Sequence, residues 1–456
     1  MSDLRLADLA GVSPPLINDR MTIDWRPTDK LWQKATNPRR YTAKEINKAV
    51  SILKRWGVRL PVVITFDGCV IAHFIAVIAA RKAGIEQLPV VYADDLPAAE
   101  HQALSLALDR FYELGEFDRT LLGELLTQIE VEVPDLRFED IGFEAAEVDQ
   151  AVAALPVVEE PEKALAPTSA IVSKIGDVWV LDEHRVACGD AKDSSTLARL
   201  LGGKRAQMCF SDPPYGCQVE GFVSSRGHRE FVEASGELDQ AGLKGFFSGF
   251  CKAIADHVDP GAVIELCIDW RSASLLMQAA SSIFGEMINL AVWVKDRAGM
   301  GSFLRSQHEL ILIYAMPGER PRNNVQLGRH GRNRTNVWKY PSAMSFRHSG
   351  AEGDLLDGHP TPKPKDLVAD AIMDCTARGD VVLDPFLGSG STLIAAEKVG
   401  RRCFGMDLDP AYVDLAVRRW QSWTGRQAIH AETGERFDDF LAAADLQLRA
   451  EEQSNG

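Results

Sequence analysis

No stretch constrains the fold of this chain more than residues 380–392. A short apolar run, 381–383, reads as a buried strand and stops at Asp384-Pro385. A loop with Gly388 and Gly390 follows, and Ser391 and Thr392 open a helix that should run to about Gly400. The glycines permit positive φ and close backbone approach. The helix start offers free amides to a carboxylate or phosphate. A second apolar strand, 403–406, ends at Asp407, where an acid can accept hydrogen bonds from ribose hydroxyls. Strand, glycine loop, helix and strand in this order predict an α/β domain with a largely parallel sheet.

Three nucleotide-type ligands compete for such a loop. A nicotinamide dinucleotide would want Gly-x-Gly-x-x-Gly, and Gly388-Ser389-Gly390 is followed by Ser391, Thr392 and Leu393. A Walker A loop would need Gly-Lys-[Ser/Thr], and no lysine is there. The third is S-adenosylmethionine, a nucleoside whose amino-acid carboxylate can sit at the helix start. The loop alone leaves these open.

A second stretch narrows the chemistry. Asp212-Pro213-Pro214-Tyr215 ends another short apolar run, 206–210. The prolines fix φ and give up their amide donors, so the carbonyls around them are set in direction. Open α/β sheets place ligands at the C-terminal ends of strands. There, Asp212 and the Pro213 carbonyl could accept both hydrogens of an exocyclic amino group, with Tyr215 stacked on the ring that carries it.

Composition agrees with a globular, multidomain protein: 456 residues, 46% hydrophobic and 25% charged. No apolar run is long enough to cross a bilayer, and the opening MSDLRLADLA lacks a signal-peptide core. Eight scattered cysteines without a Cys-x-x-Cys pair argue for reduced thiols and against a zinc site, so a cytoplasmic protein with no metal is expected. The net charge is −15, yet between residues 293 and 350 ten Lys/Arg face three acids. Lys295, Arg297, Arg305, Arg329, Arg332, Arg334 and Lys339 are the candidate contacts to a polyanion, in a basic segment at about 296–350.

The chain divides as follows. Residues 1–35 read as irregular. A compact domain with a helical extension spans 36–150. The stretch 151–170, with Glu159-Glu160-Pro161, reads as an acidic linker. The domain carrying both motifs covers 171–430, and 431–456 is a tail.

With both motifs and the basic insert in one α/β domain, residues 171–430 resemble the S-adenosylmethionine-dependent DNA amino-methyltransferases. The resemblance rests on Gly189-Asp190, Asp212-Pro-Pro-Tyr215, His359-Pro-Thr-Pro-Lys-Pro364, Asp384-Pro-Phe-Leu-Gly-Ser-Gly390 and Tyr412 through Thr424-Gly425. The catalytic motif precedes the cofactor loop, as in the permuted β-class. The resemblance implies a Rossmann-like methyltransferase sheet with helices on both faces. It implies Asp212, Pro213, Pro214 and Tyr215 as catalytic residues. Asp190, Lys363, Asp384, Phe386, Gly388, Ser389, Gly390, Ser391, Thr392 and Asp407 would then contact S-adenosylmethionine. Asp407 stands where the family more often has glutamate. Double-stranded DNA is the implied partner, and Asp212 at the first motif position resembles the adenine-N6 enzymes more than the cytosine-N4 ones. Cys217 follows Gly216 instead of a proline, and reads as a loop residue, not as a covalent nucleophile.

Residues 36–110 resemble a ParB-like domain of α+β type, through Asn37-Pro38-Arg39, the strand at 61–65 and the helix end Ala79-Ala-Arg-Lys-Ala-Gly-Ile85. Where that family carries Gly-His-Arg-Arg, this chain has Ala72-His73-Phe74-Ile75. Nucleotide processing is therefore not expected of it, and the domain is left to position DNA or to mediate self-association as a homodimer. Rival readings are a protein or RNA methyltransferase and a non-catalytic ParB-type DNA-binding adaptor.

Overall fold

A computed structural model describes residues 22–34, 37–98, 100–111, 114–155, 165, 170–216, 233–299, 303–328, 331–342 and 363–454. The chain forms two compact units, 1–144 and 145–456.

In the first unit, strands β1 (Asp24–Pro27), β2 (Val62–Ile64), β3 (Val70–Ala72) and β4 (Gln87–Tyr92) form one sheet in the order β1-β4-β2-β3. Helices α1 (Ala43–Trp56), α2 (Phe74–Ala83), α3 (Glu100–Phe111) and α4 (Arg119–Glu132) accompany it. Thr42 caps α1 in a full capping box with Glu45. Gly84 ends α2 in the left-handed conformation. One expectation is corrected here: the region assigned as irregular holds β1, whose backbone pairs antiparallel with β4. Val70–Ala72 is a strand paired with β2. His73 caps α2 with φ 65, and its Nδ1 lies 3.0 Å from the Pro61 carbonyl.

The second unit begins with α5 (Ala145–Ala153), so the boundary falls before residue 150. Its strands are β5 (Val178–Leu181), β6 (His184–Cys188), β7 (Ala206–Ser211), β8 (Val258–Ile268), β9 (Met287–Val294), β10 (His308–Ala315), β11 (Val337–Lys339), β12 (Val381–Asp384), β13 (Arg402–Asp407) and β14 (Ile429–His430). They make one sheet in the order β11-β9-β10-β8-β7-β12-β13-β6-β5-β14. The centre, β6-β13-β12-β7-β8, is parallel throughout. Strand β11 lies inside the basic segment; it is only three residues long and joins the sheet edge beside β9. The expected tail carries α12 (Phe437–Ser454), with Phe437 fully buried.

Side chains alternate across the central strands, as the pleat requires. Met208, Phe210, Val382 and Cys403 point to one face, against α9 (Lys365–Cys375), α10 (Ser391–Lys398) and α11 (Pro410–Thr424). Cys209, Leu383, Phe404 and Met406 point to the other, against α6 (Ser194–Leu201), α7 (Gln240–His257) and α8 (Ala273–Phe284). Strands buried on both faces read as continuous apolar runs, which is why they were legible. From β7 the chain crosses through α7 to β8; from β12 it crosses through α10 to β13, on the opposite side. The adjacent pair β7/β12 is thus a topological switch point. Among the described residues no helix is long and apolar enough to cross a membrane.

Helix α5 is tied into this unit by charge. Asp149 Oδ1 and Oδ2 accept from Arg401 Nη1 and Nη2 at 2.6 and 2.8 Å, and Arg401 is fully buried. Breaking a buried pair leaves the surviving charge uncompensated, at a cost of about 3–5 kcal/mol. Asp149→Ala should therefore lower the thermal midpoint sharply, whereas Asp149→Ala with Arg401→Met should recover most of the loss. Differential scanning calorimetry of the three proteins checks this.

Candidate active site

The C-terminal ends of β6, β13, β12 and β7 all open on one rim of the sheet, because these strands run parallel. Four loops follow, carrying Gly189-Asp190, Asp407, the 384–390 loop and Asp212 to Tyr215. One cavity is lined by all of them. Asp212, Pro213, Pro214 and Tyr215 border it together with Phe386, Gly388, Ser391 and Asp407. Asp190, Lys363, Asp384, Ser389 and Thr392 complete the expected set at its walls; Gly390 does not line it.

Asp384 holds the two halves together. Its Oδ1 accepts from Ser211 Oγ of β7 at 2.9 Å and from the Phe386 amide at 3.1 Å, and its Oδ2 accepts from Thr392 Oγ1 of α10 at 2.6 Å. It is buried, and burial raises its pKa to about 6 against the pull of these donors. Asp384 and Thr392 act chiefly as an internal brace. Gly390 caps α10 at φ 84, and a Cβ there would come within 3.0 Å of Ala416 Cβ on α11. Its role is close helix packing, which explains its absence from the wall. Arg419 of α11 fixes the loop by donating to the Ser389 carbonyl at 3.0 Å.

Asp407 accepts from the Gly388 amide at 2.9 Å and from the Asp409 amide at 2.9 Å. Burial raises its pKa to about 7, partly offset by these amides. Ser391 Oγ is buried at the cavity wall with no hydrogen-bond partner among the described residues. A buried orphan hydroxyl at a helix start, beside an acceptor carboxylate on the neighbouring strand, suits a ligand with both a carboxylate and a ribose. Phe386 is braced edge-on by Phe250, 5.1 Å between ring centroids.

At Asp212 the structure adds what the sequence did not reveal. Tyr215 Oη donates to Asp212 Oδ1, and the Lys363 ammonium donates to Oδ2. Lys363, expected among the cofactor contacts, thus has its charge on the Pro-Pro loop. Burial and the neighbouring Asp212 push the Tyr215 phenol up, so it remains a donor. The Tyr215 carbonyl accepts from Ser272 Oγ at 2.6 Å. Glu309 of β10 also lines the cavity, and its Oε2 is 3.2 Å from the Lys363 ammonium. Burial alone would raise Glu309, but Lys363 and Lys295 hold it at about 2. One signal for Glu309 was available: it is an acid in the same β10 alternation as Ile311 and Ile313.

The expected DNA contacts divide. Arg332 donates to Asp374 Oδ1 at 2.6 Å, and Arg334 contacts Asp370 at 3.0 Å and Asp374 at 2.6 Å, both acids on α9. Lys295 pairs with Glu309. These three are corrected to internal ion pairs, with side chains largely buried at 12%, 17% and 23% exposure. Arg297, Arg305 and Lys339 are exposed. Arg329, Cys217 and residues 359–362 lie outside the described residues. Arg334→Ala should lower the unfolding midpoint by leaving Asp370 and Asp374 under-compensated, while Arg297→Ala with Arg305→Ala should leave it within about 0.5 kcal/mol of wild type by denaturant titration.

The chain is 32% identical over 108 residues to the type II methyltransferase M.ScaI of Streptomyces caespitosus, covering 23% of this chain and 34% of that protein. It is 42% identical over 64 residues to the type II methyltransferase M2.DpnII of Streptococcus pneumoniae, covering 14% and 24%. It thus spans about a third of the first relative and about a quarter of the second. The solved PvuII DNA methyltransferase (cytosine-N4-specific) aligns with a TM-score of 0.39 and 15% identity, over 55% of this chain and 88% of that one. Residues 206–418, from the start of β7 into α11, match the family model N6_N4_Mtase. The span that builds both walls of the cleft carries the pattern of a DNA methylase.

Proposed function

We propose that this protein transfers a methyl group from S-adenosylmethionine to the exocyclic N6 of an adenine everted from duplex DNA. The observation that carries this is the shared cavity: the amino-gripping loop of β7 and the glycine loop of β12 line one cleft at the switch point. Ser391, Asp407, Gly388 and Phe386 would hold the cofactor, which supplies a methyl group on a positively charged sulfur. The β-class assignment rests on the chain order, Asp212 before Gly388.

The target amine is buried in the base stack, so the base must leave it at a cost of a few kcal/mol. Stacking on Tyr215 returns about 1–3 kcal/mol. The amine is a poor nucleophile because its lone pair is delocalised into the ring. Hydrogen bonds to Asp212 and the Pro213 carbonyl draw the nitrogen toward tetrahedral geometry and localise that pair. The bound cofactor would supply the methyl group to that nitrogen, its sulfur keeping the electrons of the broken carbon–sulfur bond. The methylated nitrogen then gives up a proton, which Asp212 is placed to accept. Alignment and fixed charge supply most of the barrier reduction.

Duplex contact is proposed for the exposed Arg297, Arg305 and Lys339. The N-terminal unit, lacking arginines beside His73, is proposed to position DNA or to self-associate as a homodimer, with no nucleotide chemistry of its own.

Labelled methyl transfer to duplex DNA should occur with wild type and be lost about 100-fold or more with Asp212→Ala. Nucleoside separation of the product should give N6-methyladenine; N4-methylcytosine as the sole product would replace the adenine reading with the cytosine one. An ionised Asp407 is the better acceptor of ribose hydroxyls, and its pKa is about 7. Cofactor affinity by calorimetry should therefore strengthen from about pH 6 to about pH 8, and Asp407→Asn should flatten that rise. The sign for stability is opposite: a raised carboxyl pKa favours the fold at low pH, so ionising Asp407 costs stability as pH rises through about 7.

A further inference from the structure

Each Asp212 oxygen already carries one donor, Tyr215 on Oδ1 and Lys363 on Oδ2. If the proposed reading holds, an arriving amine competes with one of them for the carboxylate. Tyr215 is held at its carbonyl by Ser272, and its phenol keeps its proton. Lys363 has somewhere else to go. Glu309 Oε2 lies 3.2 Å from the ammonium and is buried, yet accepts no directed hydrogen bond. Glu309 Oε1 is already held by Lys295. Both ammonium groups also lie over the Trp293 ring, Lys295 at 4.7 Å and Lys363 at 5.9 Å from its centroid. The order Asp212, Lys363, Glu309, Lys295 alternates in sign and sums to zero.

We infer that Glu309 is a positioning residue: it receives the Lys363 ammonium when a target amine takes Oδ2 of Asp212. The move exchanges one charge-assisted hydrogen bond for another and changes the number of buried charges by none, so little energy separates the two arrangements. Without Glu309 the ammonium stays on Asp212 and keeps the amine out. It would otherwise stand unpaired beside a sulfonium of the same sign. Glu309 itself does not touch the reacting atoms and acts through Lys363.

The test is a double-mutant cycle on the full chain, with radiolabelled S-adenosylmethionine and duplex DNA. Glu309→Gln should lower kcat by about 100-fold while the cofactor Kd, read by calorimetry, stays within about twofold of wild type. Lys363→Met removes the cation that Glu309 manages. In that background Glu309→Gln should change kcat by no more than about twofold, and the double variant should exceed Glu309→Gln alone by about tenfold. A Glu309→Gln loss that is equal in both backgrounds overturns the inference, as does a wild-type kcat for Glu309→Gln. If Glu309→Gln alone fails to fold, the charge-balanced double variant compared with Lys363→Met still decides, and a loss well beyond twofold there overturns it. A wild type that transfers no methyl to DNA removes the reading on which this rests; an active wild type with additive variants removes the inference alone.

Discussion

Everything at this site depends on one buried carboxylate, Asp384, whose three hydrogen bonds join β7, β12 and the first turn of α10. The two loops that make the chemistry are 172 positions apart between Asp212 and Asp384, and nothing in chain connectivity brings them together. Parallel pairing of β7 with β12 sets them side by side, and Asp384 fixes the last few ångströms. Such a brace is costly, because a carboxylate is removed from water, and three donors are what makes it tolerable. An aspartate so fully engaged has little left to offer a ligand. Its prominence in the motif therefore reflects architecture before contact.

The fold was legible where burial on both faces imposed an apolar run. Strands β7, β12 and β13 and helix α10 appear where their patterns put them. Short edge elements escaped. Strand β11 has three residues, Val337–Lys339, of which only Trp338 is buried, so no period could form. Strand β1 carries Trp25 on an exposed edge and gains its place from pairing with β4, a non-local cause.

The site was legible to a different degree at each residue. Glycines and prolines announce backbone geometry, and the loops at 212–215 and 384–390 were found for that reason. Charge partners are another matter, since sequence gives the number of arginines and not their destination. Arg332 and Arg334 counted as surface cations until α9 placed Asp370 and Asp374 against them. Glu309 was counted against the basic balance of its segment, when its inward register on β10 was the informative fact. A local charge sum is thus a poor guide wherever a segment folds back on an acidic helix.

The pairing of Asp149 with Arg401 has a bearing on where the second unit begins. Helix α5 is fastened at one end of the acidic stretch. At its other end the Val172 and Ser173 amides are held by Asp414 at 2.7 and 3.1 Å. The residues on either side of that stretch are therefore both anchored within the second unit. A fragment meant to isolate the cleft has to begin at Ala145: one cut at residue 171 would discard α5 and strand a guanidinium in the core.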